Sequence, residues 1–251
     1  APHALEFVVH DFSDAFREKY ADHTPPKPLI DLSFKPGDAA VIGDIRNALL
    51  VDFDLDSTLD LAVLHAGKLS IYKRSEASAW EPIASVDIEG DFSGLLAADL
   101  DRDRDHKVNA GDGSDTAQTN KSPSTSCFDA DSDLVVYGKS GVVFLRNVRS
   151  EDGKRTLEVV EQEDTVAGVE DVVTAILLDF DHDSNLDVVC STTAGIKALL
   201  GQGEMVFVDV SQFSDLPEAD ASKPFTSLVA VDWDRDVDID LVAVAADHQL
   251  G

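Results

Sequence analysis

The chain has 251 residues, of which 43% are hydrophobic and 7% aromatic, a composition typical of globular rather than disordered proteins. Its 49 acidic residues outnumber its 20 basic residues, which gives a formal net charge of −29. This charge argues against nucleic acid as a partner, because phosphate contacts require Lys and Arg. No apolar run approaches the roughly 18 residues of a membrane span, so no membrane insertion is predicted.

Residues 1–37 are predicted to form an N-terminal extension that differs from the rest of the chain. Runs at 5–9 and 29–34 are typical of strands, and Ser13 could cap a short helix between them. Three prolines near residue 26 would end that helix.

From about residue 38 to residue 251, one acidic pattern recurs four times between short apolar runs. Its first copy places aspartates at positions 1, 3, 5 and 9 of the loop Asp52-Phe-Asp-Leu-Asp-Ser-Thr-Leu-Asp60. The first aspartates of the four copies are Asp52, Asp99, Asp179 and Asp232. The second copy is interrupted by an insertion at about 104–132, and without it the period is about 50 residues. Carboxylates in this pattern are an oxygen ligand set suited to Ca²⁺.

Four short strands are predicted in each repeat, which indicates an all-β fold. A four-stranded unit cannot bury both of its faces alone, and radial stacking of such units gives a β-propeller of four-stranded blades. A linear β-solenoid is the alternative, although its periods are usually shorter. The last repeat reaches only its second strand before Gly251. Either the repeats are a truncated part of a larger propeller, or residues 1–37 supply the missing strands and close a four-bladed ring.

The sequence of hydrophobic strand, Asp-x-Asp-x-Asp-x-x-x-Asp and second hydrophobic strand resembles the calcium loops of FG-GAP/VCBS-type repeats. Such repeats occur in integrin α-chain propellers and in many secreted bacterial proteins, and the resemblance covers roughly residues 40–250. It implies a calcium loop between the first two strands of each blade. In that loop the side chains at positions 1, 3, 5 and 9 and the backbone carbonyl at position 7 bind Ca²⁺. No literal Phe-Gly and Gly-Ala-Pro pattern is present, so the chain is more similar to VCBS repeats than to integrins.

The resemblance implies a set of metal ligands in each loop. These are Asp52, Asp54, Asp56, the Thr58 carbonyl and Asp60 in the first loop; Asp99, Asp101, Asp103 and Asp133 in the second; Asp179, Asp181, Asp183, the Asn185 carbonyl and Asp187 in the third; and Asp232, Asp234, Asp236, the Asp238 carbonyl and Asp240 in the fourth. Position 7 of the second loop cannot be assigned across the insertion.

The second loop also has an alternative register. Residues 101–112 are similar to the 12-residue loop of EF-hand and dockerin-type sites, with oxygens at positions 1, 3, 5, 9 and 12. In that register Asp105, Asn109 and Asp112 would complete the site with Asp101 and Asp103, in place of Asp133.

The four loops depart from the family at position 6, which is usually a glycine with φ > 0. Here the position is occupied by Ser57, Ser184 and Val237, and by Arg104 if the second loop is counted straight through. We expect a left-handed backbone at these residues at a cost of about 1 kcal/mol each.

The sequence predicts a calcium-binding module that is secreted, periplasmic or at the cell surface, and that binds a protein or a carbohydrate. The alternative is a calcium-dependent polysaccharide-active enzyme or a non-catalytic domain of one. No catalytic residue is predicted, and whether the chain is an enzyme is left open. Asp54-Leu-Asp56-Ser-Thr58 is also similar to the nucleophile motif of haloacid-dehalogenase-type phosphatases, a fold that would require a helix after the motif.

Three further side chains are interpreted as structural. Trp80 and Trp233 are expected at buried positions of the blades rather than in a sugar-binding site. Cys190 is expected to be a small buried hydrophobe, and its pairing with Cys127 is left open.

Overall fold

The computed structural model of the chain describes residues 45–75, 80–101, 131–150, 152–163, 166, 168–213, 216, 225–236 and 238–245. The predicted extension at 1–37 and most of the predicted insertion lie outside the described residues. No helix within the described part is long and apolar enough to cross a membrane.

The described residues form fourteen strands and one 3₁₀ turn at Ser211–Phe213. The strands are β1 (Asn47–Val51), β2 (Asp60–His65), β3 (Lys68–Arg74), β4 (Trp80–Asp87), β5 (Phe92–Ala98), β6 (Asp133–Gly138), β7 (Gly141–Arg149), β8 (Arg155–Val160), β9 (Val172–Leu178), β10 (Asp187–Thr192), β11 (Gly195–Gly201), β12 (Phe207–Asp209), β13 (Phe225–Val231) and β14 (Asp240–Ala245).

Each repeat of the sequence folds as one antiparallel sheet whose strands are neighbours in the order of the chain. Three sheets have four strands each, β1–β4, β5–β8 and β9–β12, and the fourth consists of β13 and β14. The all-β prediction is therefore confirmed, with four strands in each of the first three repeats. Closure of the sheets into a propeller stays a prediction.

Consecutive sheets contact each other through their first strands, β1 with β5, β5 with β9 and β9 with β13. One apolar core lies between each pair of consecutive sheets. The second strands β2, β6 and β10 are almost entirely buried because both of their faces are covered. This burial explains why they appear in the sequence as continuous apolar runs rather than alternating ones.

The tryptophans divide between a buried and an exposed position. Trp80 is buried at the start of β4, as predicted, whereas the side chain of Trp233 is 76% exposed and its prediction was wrong. The equivalent residue of the first loop, Phe53, is fully buried in the core between the first and second sheets. Trp233 follows β13, the first strand of the fourth sheet. The structure describes no later sheet that could cover this side chain.

Cys190 is a free thiol buried in the core between the second and third sheets, as predicted, and burial raises its pKa to about 12. Cys127 lies outside the described residues.

Candidate metal sites

The acidic loops occupy the same place in every sheet, between its first and second strands. The aspartate at position 9 is the first residue of the second strand, and it pairs with the last residue of the first strand. These pairs are Asp60 with Val51, Asp133 with Ala98, Asp187 with Leu178, and Asp240 with Val231. Because Thr58 is followed by strand β2 rather than by a helix, the phosphatase interpretation of the first loop is wrong.

The position-9 aspartate bridges strands of its sheet through backbone hydrogen bonds. Its Oδ2 accepts a hydrogen bond from the N–H at position 2, at 3.1 Å for Asp60, 3.0 Å for Asp133, 2.6 Å for Asp187 and 2.8 Å for Asp240. In two sheets its Oδ1 also accepts from the end of the third strand, from Asn147 N–H at 2.9 Å and from Gly201 N–H at 2.7 Å. Asp60, Asp133 and Asp187 are fully buried.

Each sheet brings three carboxylates together at this edge, with one oxygen from each lying within 4.8 Å of the others. In three loops the group joins positions 1, 3 and 9, and in the second loop it includes a residue from the end of the predicted insertion. The groups are Asp52, Asp54 and Asp60; Asp99, Asp101 and Asp131; Asp179, Asp181 and Asp187; and Asp232, Asp234 and Asp240.

In the first, third and fourth loops the aspartate at position 5 lies outside these groups and folds back onto the loop. Each accepts a hydrogen bond from the N–H at position 7, from Thr58 to Asp56 at 2.8 Å, from Asn185 to Asp183 at 2.7 Å and from Asp238 to Asp236 at 2.9 Å. The predicted carbonyl ligands therefore belong to a turn that their own N–H groups stabilise.

The second loop contains a residue that the sequence analysis missed. Asp131 joins the carboxylate group, while the predicted ligand Asp133 accepts three backbone hydrogen bonds beside it. Asp131 is buried and pairs with the buried guanidinium of Arg155. The Asp-x-Asp spacing of residues 131 and 133, directly before a strand, was the available signal. Asp103, Asp105, Asn109 and Asp112 lie outside the described residues.

The first and third loops have left-handed backbone at position 6, as predicted, whereas Arg104 and Val237 lie outside the described residues. The φ angle is 67° at Ser57 and 75° at Ser184. Position 4 is left-handed as well, at Leu55, His182 and Arg235, with φ between 61° and 67°. The residue types at position 4 give no hint of this, because glycine and asparagine are the usual signals. Each such residue costs about 1 kcal/mol, which the surrounding structure must offset.

Ser57→Gly and Ser184→Gly are each expected to raise the free energy of unfolding by up to about 1 kcal/mol, because glycine adopts φ > 0 without a Cβ clash. Urea denaturation in the presence of calcium measures the change. Ser85, an exposed serine of β4 without positive φ, is the matched control, and Ser85→Gly is expected to lower stability by about 0.5–1 kcal/mol. A loss of stability in both loop variants would contradict the assignment of strain.

Burial also sets the protonation of the position-9 carboxyls. It raises the pKa of Asp60 to about 6, with a smaller contribution from the charge of Asp54. It raises the pKa of Asp133 to about 7, and the charge of Asp101 acts in the same direction. The pKa of Asp187 is likewise raised by burial. A nearby cation would reverse these shifts, since it favours the charged form.

The metal-free protein is expected to lose stability as the pH rises from about 4 to about 7. A raised folded-state pKa means that the folded state holds the proton more tightly. The stability from Asp60 and Asp133 is then fully present below the usual value of 3.8 and is lost as the pH rises through about 6 and about 7. Urea denaturation of protein freed of metal, across this pH range, measures the slope. Asp133→Asn should flatten the slope between about pH 4 and 7, and an unchanged slope in this variant would contradict the assignment.

Some buried carboxylate oxygens of these groups have no hydrogen-bond partner among the described residues. They are Asp54 Oδ1 and Asp60 Oδ1 in the first loop and Asp179 Oδ1 in the third. An unsatisfied buried oxygen that carries charge is costly, and a bound cation is one of the few groups that can satisfy several at once. The donor set consists of carboxylates alone, which fits a hard cation such as Ca²⁺ better than a soft metal.

No family model matches the chain, and no curated protein is significantly similar to it. Among solved structures, the chain is similar to a lectin from Agrocybe aegerita, studied for its specific recognition of non-reducing terminal N-acetylglucosamine. The match has 15% sequence identity and a TM-score of 0.43, and it covers 80% of this chain and 47% of the lectin chain. The chain thus corresponds to about half the length of that lectin. A TM-score of this size is too low to assign a fold or a ligand.

Proposed function

We propose that the chain is a calcium-stabilised repeat protein of the FG-GAP/VCBS type that acts as a binding or scaffold module. One observation carries the proposal. The same edge of each sheet gathers three carboxylates within 4.8 Å, and two of these groups contain buried oxygens without a partner among the described residues. Mutual repulsion would push such groups apart unless a cation neutralises them.

The residues that would hold calcium are the three grouped carboxylates of each loop, together with the resemblance-implied ligands at positions 5 and 7. A bound cation would supply positive charge at the point where the first two strands of a sheet meet. The chain itself orients the ligands, because the position-9 aspartate is fixed by the N–H at position 2 and begins the second strand.

The propeller arrangement is part of the proposal. Its support is that consecutive sheets contact each other through their first strands and share an apolar core at each interface. In a propeller the first strands line the central channel. A linear array of sheets stays the alternative.

The proposed setting is secreted, periplasmic or at the cell surface, where calcium reaches the millimolar levels that weak sites require. The proposed partner is a protein or a carbohydrate. In the first loop Lys73 pairs with Asp54 and Asp56, so its ammonium group neutralises the loop rather than a substrate. A calcium-dependent polysaccharide-active enzyme stays a hypothesis.

Isothermal titration of the metal-free protein with calcium tests the proposal directly. The wild type is expected to bind calcium, and a variant with Asp179→Asn and Asp181→Asn should lose at least one site. Asp87→Asn, at an exposed acidic residue of β4, is the control for a general loss of charge and should bind as the wild type does. Absence of binding by the wild type at millimolar calcium would overturn the proposal.

A further inference from the structure

In the first three sheets the third strand places one residue opposite the position-9 aspartate, and this residue differs between the sheets. Leu61 pairs with Tyr72, Leu134 with Leu145 and Val188 with Leu199, each directly after that aspartate. One step further along the third strands stand Lys73 in β3, Arg146 in β7 and Leu200 in β11. The first two sheets thus offer a cation at this place and the third offers an aliphatic side chain.

In the first sheet the lysine is engaged with the loop. Its Nζ lies 2.5 Å from Asp54 Oδ2 and 2.5 Å from Asp56 Oδ2. These contacts hold the pKa of Asp56 at about 2 and raise the pKa of Lys73 above its usual value. The ammonium group therefore neutralises the carboxylates at positions 3 and 5, which are both predicted calcium ligands.

In the second sheet the arginine takes the corresponding role. Arg146 Nε lies 3.0 Å from Asp101 Oδ2, an ion pair without hydrogen-bond geometry. Its Nη2 donates to the carbonyl of Glu204 at 2.7 Å, which holds the guanidinium between the second and third sheets. A second guanidinium, that of Arg155, pairs with Asp131 of the same carboxylate group.

The third sheet has no such cation at this position, because Leu200 cannot supply one. Within the described part of the chain, Asp179, Asp181 and Asp187 make no ion pair. Asp179 Oδ1 is buried and without a hydrogen-bond partner there. The grouping of the three carboxylates is otherwise the same as in the first loop, with oxygens within 4.8 Å. The third strand of the third sheet thus lacks the cation that β3 and β7 carry at this register.

We infer that Lys73 and Arg146 are built-in counter-cations that weaken calcium binding in the first two loops, so that the third loop, with Leu200 at this register, binds calcium more tightly than they do. This inference rests on the proposed function and deepens it. Calcium entering the first loop must displace or repel the Lys73 ammonium from Asp54 and Asp56, whereas at the third loop it meets carboxylates with no opposing charge from strand β11. A unit positive charge within about 4 Å of a bound cation repels it, and this repulsion lowers the affinity for the cation substantially even when solvent screens the two charges.

A reciprocal exchange of these residues tests the inference. Leu200→Lys gives the third loop the lysine of the first, and Lys73→Leu gives the first loop the leucine of the third. Titration calorimetry with calcium chloride is expected to show one binding event of the wild type weakened by about tenfold or more in Leu200→Lys. In Lys73→Leu, calcium binding to the first loop should become detectable or should tighten by a similar factor. Lys73→Gln, which keeps the length of the side chain, should act in the same direction.

Lys68→Leu is the matched control, because it removes a lysine from an exposed position of the same strand β3. It should leave the calcium affinities within about twofold of the wild type, as expected for a screened charge far from the site. Calcium binding by the wild type that neither exchange alters would overturn this inference and leave the proposed function standing. Absence of calcium binding by the wild type and by all variants would overturn both. If one exchange prevents folding, as judged by circular dichroism, the other and Lys73→Gln still decide the outcome.

Discussion

Replacing Asp133 by alanine is expected to lower the free energy of unfolding by about 3–5 kcal/mol, a large part of the stability of a domain. The side chain accepts hydrogen bonds from the N–H groups of Leu100 at 3.0 Å, Asp101 at 3.3 Å and Asn147 at 2.9 Å. Alanine would leave these buried donors without an acceptor, and each such donor costs about 1–3 kcal/mol. Urea denaturation monitored by circular dichroism measures the loss.

Two variants separate this effect from a loss of charge. Asp133→Asn retains one acceptor oxygen and should lose about half as much stability. Asp87→Ala removes an exposed carboxylate from β4 and should change stability by less than about 0.5 kcal/mol. A loss below about 1 kcal/mol in Asp133→Ala would show that the hydrogen bonds do not hold the sheet together.

Removal of divalent cations is expected to lower the melting temperature by about 5–10 °C for each site that calcium fills at a hundredfold excess over its Kd. Binding at that excess stabilises the folded state by about 2.7 kcal/mol. For a chain of this size each kcal/mol corresponds to about 2–4 °C. Thermal melting in calcium and in excess EDTA measures the shift, and added calcium should restore it.

The control for this experiment is the variant with Asp179→Asn and Asp181→Asn. It should melt at a temperature that depends less on calcium than that of the wild type, because one loop can no longer bind the ion. Magnesium should stabilise the wild type less than calcium does, since it requires a smaller and more regular oxygen shell. An unchanged melting temperature of the wild type in excess EDTA would contradict a stabilising role of calcium.

Most of the strand framework could be predicted because it depends on short-range patterns. The apolar runs, the turns at Gly67 and Gly195 and the fourfold recurrence of the aspartates locate the strands and the loops that join them. Burial of the second strands follows from the same runs. These features concern residues that are near each other in the sequence, where periodicity and turn chemistry are informative.

The parts of the sites that could not be predicted depend on contacts between strands. Lys73 meets Asp54 and Asp56 only because the register of β2 and β3 places it there, and nothing near residue 73 indicates a loop 17 residues away. Asp131 joins Asp99 and Asp101 across 30 residues that have no repeat pattern. Trp233 has the same place in its loop as Phe53, and its exposure depends on what packs against the fourth sheet.

The carboxylate group of the second loop also makes that loop a suitable place to insert a domain or a tag. Asp101 precedes the long insertion and Asp131 lies at its end, and their side-chain oxygens are within 4.8 Å of each other. The chain therefore leaves the sheet and returns to it at one place, where Arg155 and Arg146 bind the two aspartates. Because the free energy of closing a loop grows only slowly with its length, the segment between them can change in length at little cost to the sheet. A fluorescent domain or an affinity tag could be inserted there while the strands on both sides keep their register.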